Sequence, residues 1–259
     1  MTTPPLRILL LGGTSEALAL ARALEGDRRY AAVYSVAGRT RDPRLPVLAC
    51  RCGGFGGVEG LIEYLRAERI ELLVDATHPF AVRMSTHAVE ASRRAGVPLL
   101  ALRRPAWTPG PADRWVQVAD IAAACVALGP APRRVFLTTG HTDLAAFCAA
   151  PQHRYLIRTV EPPTVRPPHC TCLTQRGPFD LEQERALLRE HRIEILVTKN
   201  SGGAATAPKL AAARECGVTV IVVERPRLPS ADQEVGDVPA ALDWLADHCA
   251  RSRPTDLGV

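Results

Sequence analysis

The sequence contains few aromatic residues, almost no lysine and no long apolar segment. Aromatic residues make up 5% of the chain and no basic block exceeds two or three residues, so the patterns of nucleic-acid-binding domains are missing and no nucleic acid partner is expected. No apolar stretch approaches the ~20 residues that cross a bilayer. The first residues run almost directly into a strand-like segment, which leaves no room for a signal peptide. We therefore expect a cytoplasmic protein without a membrane partner.

The eight cysteines do not have the spacing of a metal centre. Two pairs, Cys50/Cys52 and Cys170/Cys172, have Cys-x-Cys spacing. Structural zinc sites use Cys-x2-Cys, whereas residues i and i+2 of a strand merely share a face. In a cytosolic chain the thiols are expected to be reduced. We predict no metal site.

The chain has the overall composition of an ordinary globular protein. Hydrophobic residues are 47% and charged residues 23% of its 259 residues, which excludes a disordered chain and fits one large domain or two small ones. The net charge is +5, and every basic residue except Lys199 and Lys209 is an arginine. Because arginine binds carboxylates and phosphates bidentately, this surface suits polyanions, although codon bias explains the same excess.

Short apolar strands alternate with helical segments along the whole chain. The apolar run Leu6–Leu11 ends in two glycines and precedes an Ala/Leu-rich helical segment, and this rhythm continues to the helix predicted at Val238–Ala250. The proline-rich stretch Arg103–Arg114 interrupts it. Such alternation predicts parallel sheets covered on both faces. We therefore predict an α/β protein of two consecutive Rossmann-like three-layer domains with mainly parallel sheets, spanning 1–112 and 113–259.

The turn between the first strand and the first helix has features of a phosphate-binding loop. Gly12 and Gly13 allow the backbone to approach a ligand, and the hydroxyls of Thr14 and Ser15 suit helix capping or phosphate binding. The match to Gly-x-Gly-x-x-Gly is imperfect, because Thr14 and Ala17 replace the second and third glycines. The turn is a candidate nucleotide site, and a capped helix without a ligand is the alternative.

The end of the second strand favours NADP(H) over NAD(H). NAD calls for an acidic residue about 20 residues after the turn, where it binds the ribose 2′-hydroxyl. The stretch Tyr34–Arg41 has no carboxylate, but Ser35, Arg39 and Arg41 are suited to a 2′-phosphate. A solvated arginine turn is the alternative.

A third polar cluster, formed by Asp75, Thr77 and His78, follows the strand predicted at Leu72–Val74. It lies at the carboxyl edge of the sheet, where open α/β sheets bind ligands. We expect Pro79 to start the next helix, so that helix capping by Asp75 or Thr77 is the alternative. No tyrosine stands four residues before either lysine, which excludes the Tyr-x3-Lys pair of short-chain dehydrogenases.

Two similar polar turns follow strands in the second half of the chain. One contains Thr138 and His141, and the other contains Lys199 and Ser201. We expect both to face the turns of the first domain across a cleft, although a surface position for Lys199 is the alternative.

Together these residues resemble the precorrin-6A reductase family. The resemblance extends from about Leu6 to Pro226. It rests on seven short motifs in the order of the family: Gly12-Gly13-Thr14-x-Glu16, Asp75-Ala76-Thr77-His78-Pro79-Phe80-Ala81, Arg104-Pro105-x-Trp107, Leu137-Thr138-Thr139-Gly140, Arg176-Gly177-Pro178-Phe179, Thr198-Lys199-x-Ser201-Gly202 and Glu224-Arg225-Pro226. Seven motifs in one order are far more specific than any one of them.

The resemblance implies an NADPH-dependent reductase of cobalamin biosynthesis. Such an enzyme reduces a double bond of precorrin-6A to give precorrin-6B, with the hydride going to carbon 19 and a proton to carbon 18. It implies that the first domain holds NADPH and that the second closes over the tetrapyrrole, a polycarboxylate that arginine-rich walls would attract. We expect a monomer or a weak homo-oligomer.

The predicted site residues follow from these motifs and turns. The predicted cofactor-binding residues are Gly12, Gly13, Thr14, Ser15, Glu16, Ser35, Gly38, Arg39, Thr40 and Thr77. The predicted catalytic residues are Asp75, His78, Lys199 and Ser201. Solvent or a carboxylic acid of the substrate is the alternative proton donor, because a tuned pKa is not readable from sequence.

Three other functions stay open at this point. A cobalt-containing counterpart of the anaerobic branch shares the same motifs. A non-catalytic NADP-binding module would use the same turns. A methyltransferase also uses a glycine-rich first turn, but it normally needs an acid at the end of the second strand, which this chain lacks.

Overall fold

A computed structural model describes residues 4–38 and 45–252 of the chain. The chain divides into two compact units, which we call unit 1 (Met1–Pro105 with Arg227–Val259) and unit 2 (Ala106–Pro226). The first crossing between units falls inside the proline-rich stretch, close to the predicted boundary at 112. The assignment of everything from 113 to 259 to one domain was wrong, because the chain returns to unit 1 after Pro226.

Unit 1 contains one parallel sheet and four helices among the described residues. Its strands are β1 (Leu6–Leu11), β2 (Tyr30–Val36), β3 (Ala49–Cys52), β4 (Leu72–Asp75), β5 (Leu99–Leu102) and β12 (Gln233–Val235). Its helices are α1 (Ser15–Ala23), α2 (Val58–Ala67), α3 (Val82–Ala95) and α8 (Val238–Ser252). The strand order is β12-β5-β4-β1-β2-β3, which is the 3-2-1-4-5-6 order of a doubly wound fold.

Alternation of side chains along β1 builds two cores, one on each face of this sheet. Ile8 and Leu10 pack with residues of α1 and α8, whereas Leu9 and Leu11 pack with residues of α2 and α3. A strand buried on both faces is apolar wherever both faces are covered. This explains the hydrophobic run Ile8–Leu11 in β1, whereas Arg7, near the start of the strand, is only half-buried and donates from Nε to the Glu68 carbonyl (2.6 Å).

Unit 2 repeats this architecture. Its strands are β6 (Trp115–Val118), β7 (Arg134–Leu137), β8 (Arg154–Thr159), β9 (Cys170–Thr174), β10 (Ile195–Lys199) and β11 (Thr219–Val223). Its helices are α4 (Ile121–Ala127), α5 (Leu144–Phe147), α6 (Leu181–Glu190) and α7 (Pro208–Glu215), with short 3-10 turns at His141–Asp143 and Ala204–Thr206. The strand order is β6-β11-β10-β7-β8-β9, and all the pairings are parallel. Phe136 and Leu196 pack with α6 and α7 on one face.

The predicted α/β class with parallel sheets is confirmed, and the errors concern short elements. The sequence also suggests a short strand at Leu173–Gln175, and the structure has β9 there, starting earlier at Cys170. Helix α3 begins at Val82, not at Pro79 as predicted, because Pro79 and Phe80 form a turn that Ala81 closes by donating to the His78 carbonyl (2.7 Å). Strand β12 was not predicted, since its three residues carry no apolar run. None of the helices in residues 4–38 and 45–252 combines the length and the apolar character needed to cross a membrane.

Each sheet has one point where the chain reverses its direction of winding. In unit 1 this switch point lies between β1 and β4, and in unit 2 it lies between β7 and β10. Ligands of doubly wound proteins bind at the carboxyl ends of the strands beside such a point.

Candidate functional site

The turn after β1 brings two glycines to the switch point of unit 1. Gly13 has a φ of +109°, which favours glycine, and a Cβ at this position would meet nothing within 4 Å. The Gly12 N–H donates to the Ser35 carbonyl (2.8 Å), which joins the turn to β2. Since Gly13 is exposed, the turn presents open backbone beside the N-terminus of α1, as a phosphate-binding loop requires.

Thr14 caps α1 and ties the turn to the next strand. Its Oγ1 accepts a hydrogen bond from the Ala17 N–H (3.0 Å) and donates one to the Ala76 carbonyl (2.9 Å). The single proton of the hydroxyl is therefore used inside the unit. Ser15, in turn, donates to the Glu16 carboxylate (3.0 Å). Both hydroxyls proposed for phosphate binding thus have acceptors within unit 1, and the backbone N–H groups at the start of α1 are the better phosphate donors.

Tyr34 shapes the same turn and was missed by the sequence analysis. It is 1% exposed, and its hydroxyl accepts a hydrogen bond from the Gly13 N–H (3.1 Å). A Cβ on Gly12 would lie 2.3 Å from the Tyr34 ring, so only glycine fits at position 12. Burial raises the pKa of Tyr34, an effect that the Gly13 N–H partly offsets. The phenol therefore stays protonated at neutral pH.

Glu16 forms an ion pair with Arg104 at the first turn of α1. Both side chains are mostly buried, at 21% and 13% exposure. A carboxylate at a helix N-terminus would repel an incoming phosphate, but the Arg104 guanidinium offsets its charge. Glu16 thus contributes to the local structure of the loop.

The carboxyl end of β2 lies beside an arginine of β3. Ser35 is 4% exposed, and its Oγ lies 3.5 Å from Nη1 of Arg51, its neighbour in the β2–β3 register. Gly38 is exposed and has a φ of +70°. The predicted residues Arg39 and Thr40 lie outside the described part of the chain.

Arg51 is held in one place by the loop that follows β3. Its Nη1 donates to the Gly53 carbonyl (2.6 Å) and its Nη2 to the Gly54 carbonyl (2.7 Å). The guanidinium lies 3.7 Å from the ring centroid of Phe55 and 5.2 Å from that of Tyr64. These contacts fix the cation next to the end of β2.

Asp75, at the end of β4, accepts hydrogen bonds from its own loop and from α3. It is 3% exposed. Oδ1 accepts from the N–H and the hydroxyl of Thr77 (3.1 and 2.6 Å), and Oδ2 accepts from the hydroxyl of Ser85 (2.6 Å). Both oxygens of Asp75 therefore accept hydrogen bonds from groups within unit 1. The geometry thus supports a structural role for Asp75 and Thr77.

His78 has a defined orientation in the turn before α3. Its Nδ1 accepts a hydrogen bond from the Phe80 N–H (3.3 Å). The neutral imidazole therefore carries its proton on Nε2. Its ring lies 5.8 Å from that of Phe80, and both residues make further contacts.

In unit 2, Lys199 and Ser201 lie at the carboxyl end of β10. The Lys199 ammonium pairs with the Asp143 carboxylate (2.6 Å), and both side chains are largely buried. Ser201 is 8% exposed and its N–H donates to the Lys199 carbonyl (2.7 Å). Asp143, which the sequence analysis did not single out, thus sets the position of this cation.

Asn200 connects three of the sequence motifs. Its Oδ1 accepts from the Trp107 N–H (2.8 Å), its Nδ2 donates to the Trp107 carbonyl (3.0 Å), and its own carbonyl accepts from Arg225 Nε (2.8 Å). Lys209, only 5% exposed, lies 5.3 Å from the Trp107 ring. Through these hydrogen bonds, the motifs that contain Trp107 and Arg225 hold the loop after β10 in place.

The structure therefore gathers the predicted residues into two groups. In unit 1, the register places Ser35 and Asp75 on either side of Leu11, so the glycine turn, the end of β2 and the Asp75–His78 loop share one edge of the sheet. Lys199 and Ser201 lie at the corresponding edge of unit 2. Two doubly wound parallel sheets, one with a glycine turn at its switch point, define the class: an α/β protein with the architecture of nucleotide-binding folds.

Comparison with known proteins identifies the family. The sequence profile of the family described as Precorrin-6x reductase CbiJ/CobK matches residues 7–246, and the chain belongs to this family of reductases. It is 50% identical to a precorrin-6A reductase of Rhodococcus erythropolis, over 92% of this chain and 97% of the relative. It is 30% identical to a cobalt-precorrin-6A reductase of Salmonella typhimurium, over 92% and 97%. A solved structure described as CobK precorrin-6A reductase superposes with a TM-score of 0.89 at 46% identity, covering 93% of this chain and 96% of that chain.

Proposed function

We propose that the protein uses NADPH to reduce a double bond of the precorrin-6A macrocycle, giving precorrin-6B in cobalamin biosynthesis. The observation that carries this proposal is the near-full-length similarity to precorrin-6A reductases, at 50% and 47% identity for the relatives from Rhodococcus erythropolis and Rhodobacter capsulatus. Cobalt-precorrin-6A reductases are less similar, at 30% and 26% identity. The contrast favours the cobalt-free substrate.

The residues at the switch point of unit 1 fit a dinucleotide. Gly13 is exposed with open space where a side chain would stand, and α1 has nine residues, enough for a helix dipole. The first backbone N–H groups of α1 would hold the pyrophosphate, and Gly12 and Gly13 would let it approach. When bound, NADPH supplies the hydride for the reduction.

The end of β2 supports NADPH over NADH as the reductant. Positions 35–38 carry no carboxylate that would bind a ribose 2′-hydroxyl and repel a 2′-phosphate. Ser35 and Gly38 lie there, and Arg39 and Thr40 follow in the sequence. We assign these residues to the adenosine ribose and its phosphate.

His78 is the better of the two candidate proton donors in unit 1. Asp75 accepts hydrogen bonds with both oxygens, so it is poorly suited to deliver a proton. The Nδ1 of His78 accepts from the Phe80 N–H, so the neutral ring carries its single proton on Nε2, and loss of that proton would leave an imidazolate. We propose that His78 acts as the imidazolium, with Nδ1 protonated and the Phe80 hydrogen bond released, and that it passes the Nε2 proton to the macrocycle and is left as neutral imidazole with its proton on Nδ1.

Unit 2 is proposed to bind the carboxylates of the tetrapyrrole. Lys199 and Ser201 lie at the edge of its sheet where ligands of such folds bind. Because Asp143 partly neutralises Lys199, this lysine is assigned to substrate positioning, together with Ser201.

The direct test is to mix the protein with NADPH and precorrin-6A and to follow the loss of reduced-nicotinamide absorbance. We expect oxidation of NADPH that depends on precorrin-6A and is faster than with NADH or with cobalt-precorrin-6A. Binding of NADPH without oxidation would support the alternative of a non-catalytic module. Equal rates with NADPH and NADH would contradict the cofactor assignment.

A further inference from the structure

We propose that Arg51 is a specificity-determining residue that binds the 2′-phosphate of the dinucleotide. This inference rests on the proposed function, since it assumes that the adenosine end of NADPH lies at the end of β2. It assigns the role to an arginine on β3, outside the segment around Arg39 that the sequence analysis favoured.

Position is the first support for this assignment. In doubly wound folds the residue that distinguishes the two cofactors follows the glycine turn by about 20 residues, at the end of the second strand. Ser35 occupies that place, and Arg51 is its register partner on the adjacent strand, with Nη1 3.5 Å from the Ser35 hydroxyl. A phosphate beside Ser35 would therefore have a cation next to it.

Charge is the second support. The arginine guanidinium is a cation, yet the partners of Arg51 are all uncharged: two backbone carbonyls, the Ser35 hydroxyl and two aromatic rings. Among residues 4–38 and 45–252, no carboxylate forms a salt bridge with it, unlike Arg7, Arg29 or Arg94, which all have acidic partners. A half-buried cation without a counter-ion is a suitable receptor for a phosphate dianion.

Rigidity is the third support. The guanidinium has five N–H donors, of which three are used by the Gly53 and Gly54 carbonyls and the Ser35 hydroxyl. Stacking against Phe55 holds its plane. The remaining donors are thus oriented before a ligand arrives, which lowers the cost of binding.

The test compares ligands that differ only in the 2′-phosphate. Binding of adenosine 2′,5′-bisphosphate and of 5′-AMP is measured by calorimetry for the full-length protein and for the Arg51→Gln, Arg51→Lys and Arg66→Gln variants. We expect Arg51→Gln to weaken binding of the bisphosphate by about 10- to 100-fold, the usual loss for a hydrogen-bonded charge pair. Binding of 5′-AMP should not change.

The conservative and control variants sharpen the result. Arg51→Lys keeps the charge but loses the planar, stacked fork, so we expect an intermediate loss. Arg66 is an exposed arginine on α2, and Arg66→Gln should bind both ligands like the unmodified protein. In steady-state assays, Arg51→Gln should raise the KM for NADPH and leave the kinetic constants for NADH unchanged.

Two results would overturn the assignment. An equal loss of affinity for both nucleotides would show that Arg51 only supports the Gly53–Gly54 loop, and unchanged affinity for both would show that it is not involved. Failure of the proposed function has a different signature, because the unmodified protein itself would then show no preference for the bisphosphate over 5′-AMP.

Discussion

The Ser85 hydroxyl lies 2.6 Å from Oδ2 of Asp75, and this contact joins the end of β4 to the first turns of α3. Both residues are buried. The contact gives Asp75 a structural partner on an element ten residues further along the chain. It also yields a test of whether the carboxylate acts in structure or in catalysis.

Asp75→Asn is expected to destabilise the protein more than it impairs the chemistry. The substitution removes the negative charge that three donors share, and hydrogen bonds to charged groups contribute about 1.5–3 kcal/mol. Urea unfolding should show a loss of that size in the free energy of unfolding, with Asp243→Asn on the exposed face of α8 as control. An unchanged stability combined with abolished turnover would instead make Asp75 a catalytic acid.

Gly12→Ala is expected to destabilise unit 1 and to weaken NADPH binding together. The added methyl group would lie 2.3 Å from the Tyr34 ring, and overpacking of this kind costs about 1–3 kcal/mol. Gly236→Ala is the matched control, since a Cβ there makes only ordinary contacts, 3.8 and 3.9 Å from Pro105. Thermal melts and NADPH titrations of both variants measure the difference. Equal behaviour of the two would mean that the Tyr34 ring moves aside freely.

His78→Gln is expected to lower kcat and to leave the affinity for NADPH nearly intact. Loss of a positioned general acid reduces rates by about 10²- to 10⁴-fold. His87→Gln on α3 provides a control in the same segment of chain. Single-turnover rates with precorrin-6A and separate NADPH titrations distinguish the two effects. Unchanged turnover would remove His78 from the mechanism and leave solvent or the substrate as proton donor.

Stability in acid is expected to depend on His153. This side chain is fully buried against Tyr155, and burial lowers its pKa below the ordinary value of 6.5. The unfolded chain therefore binds a proton at a higher pH than the folded protein does. The free energy of unfolding should fall as the pH drops below about 6.5, by up to about 1.4 kcal/mol per pH unit until the folded pKa is reached.

The measurement for His153 is urea unfolding at several pH values between 8 and 5. His153→Phe should flatten this part of the profile. The same slope in the His153→Phe variant would assign the acid sensitivity to other groups.

The sequence predicts those features that depend on residues close to one another along the chain. Strand β1 can be predicted because burial on both faces requires the apolar run Ile8–Leu11 within it, and the cap of α1 can be predicted because Thr14 bonds a residue only three positions away. The contacts of Tyr34 and Ser85 are not readable in this way. Each depends on where another element lies in three dimensions, as does the pairing of β12 with β5.

In the candidate site, too, local features could be predicted from the sequence, whereas contacts between separate elements could not. The glycine turn and the Asp75–His78 loop were found because strand ends in a parallel sheet meet at one edge. Helix capping was considered for Thr14 and Asp75, but the hydrogen bond of Thr14 to the Ala76 carbonyl and that of Asp75 to the Ser85 hydroxyl were not predicted. Arg51 was overlooked because β3 has four residues and no buried side chain, so nothing in its pattern marks it as a neighbour of Ser35.

The return of Arg227–Val259 to unit 1 also affects how the protein is made. On the ribosome, the segment that completes the first sheet is synthesised only after all of unit 2. Until then β5 lacks its outer neighbour β12, and the apolar face that receives Ala241 and Leu245 stays uncovered. Unit 2 is contiguous and is free to fold as it emerges, so the half that begins the chain is the half that finishes folding.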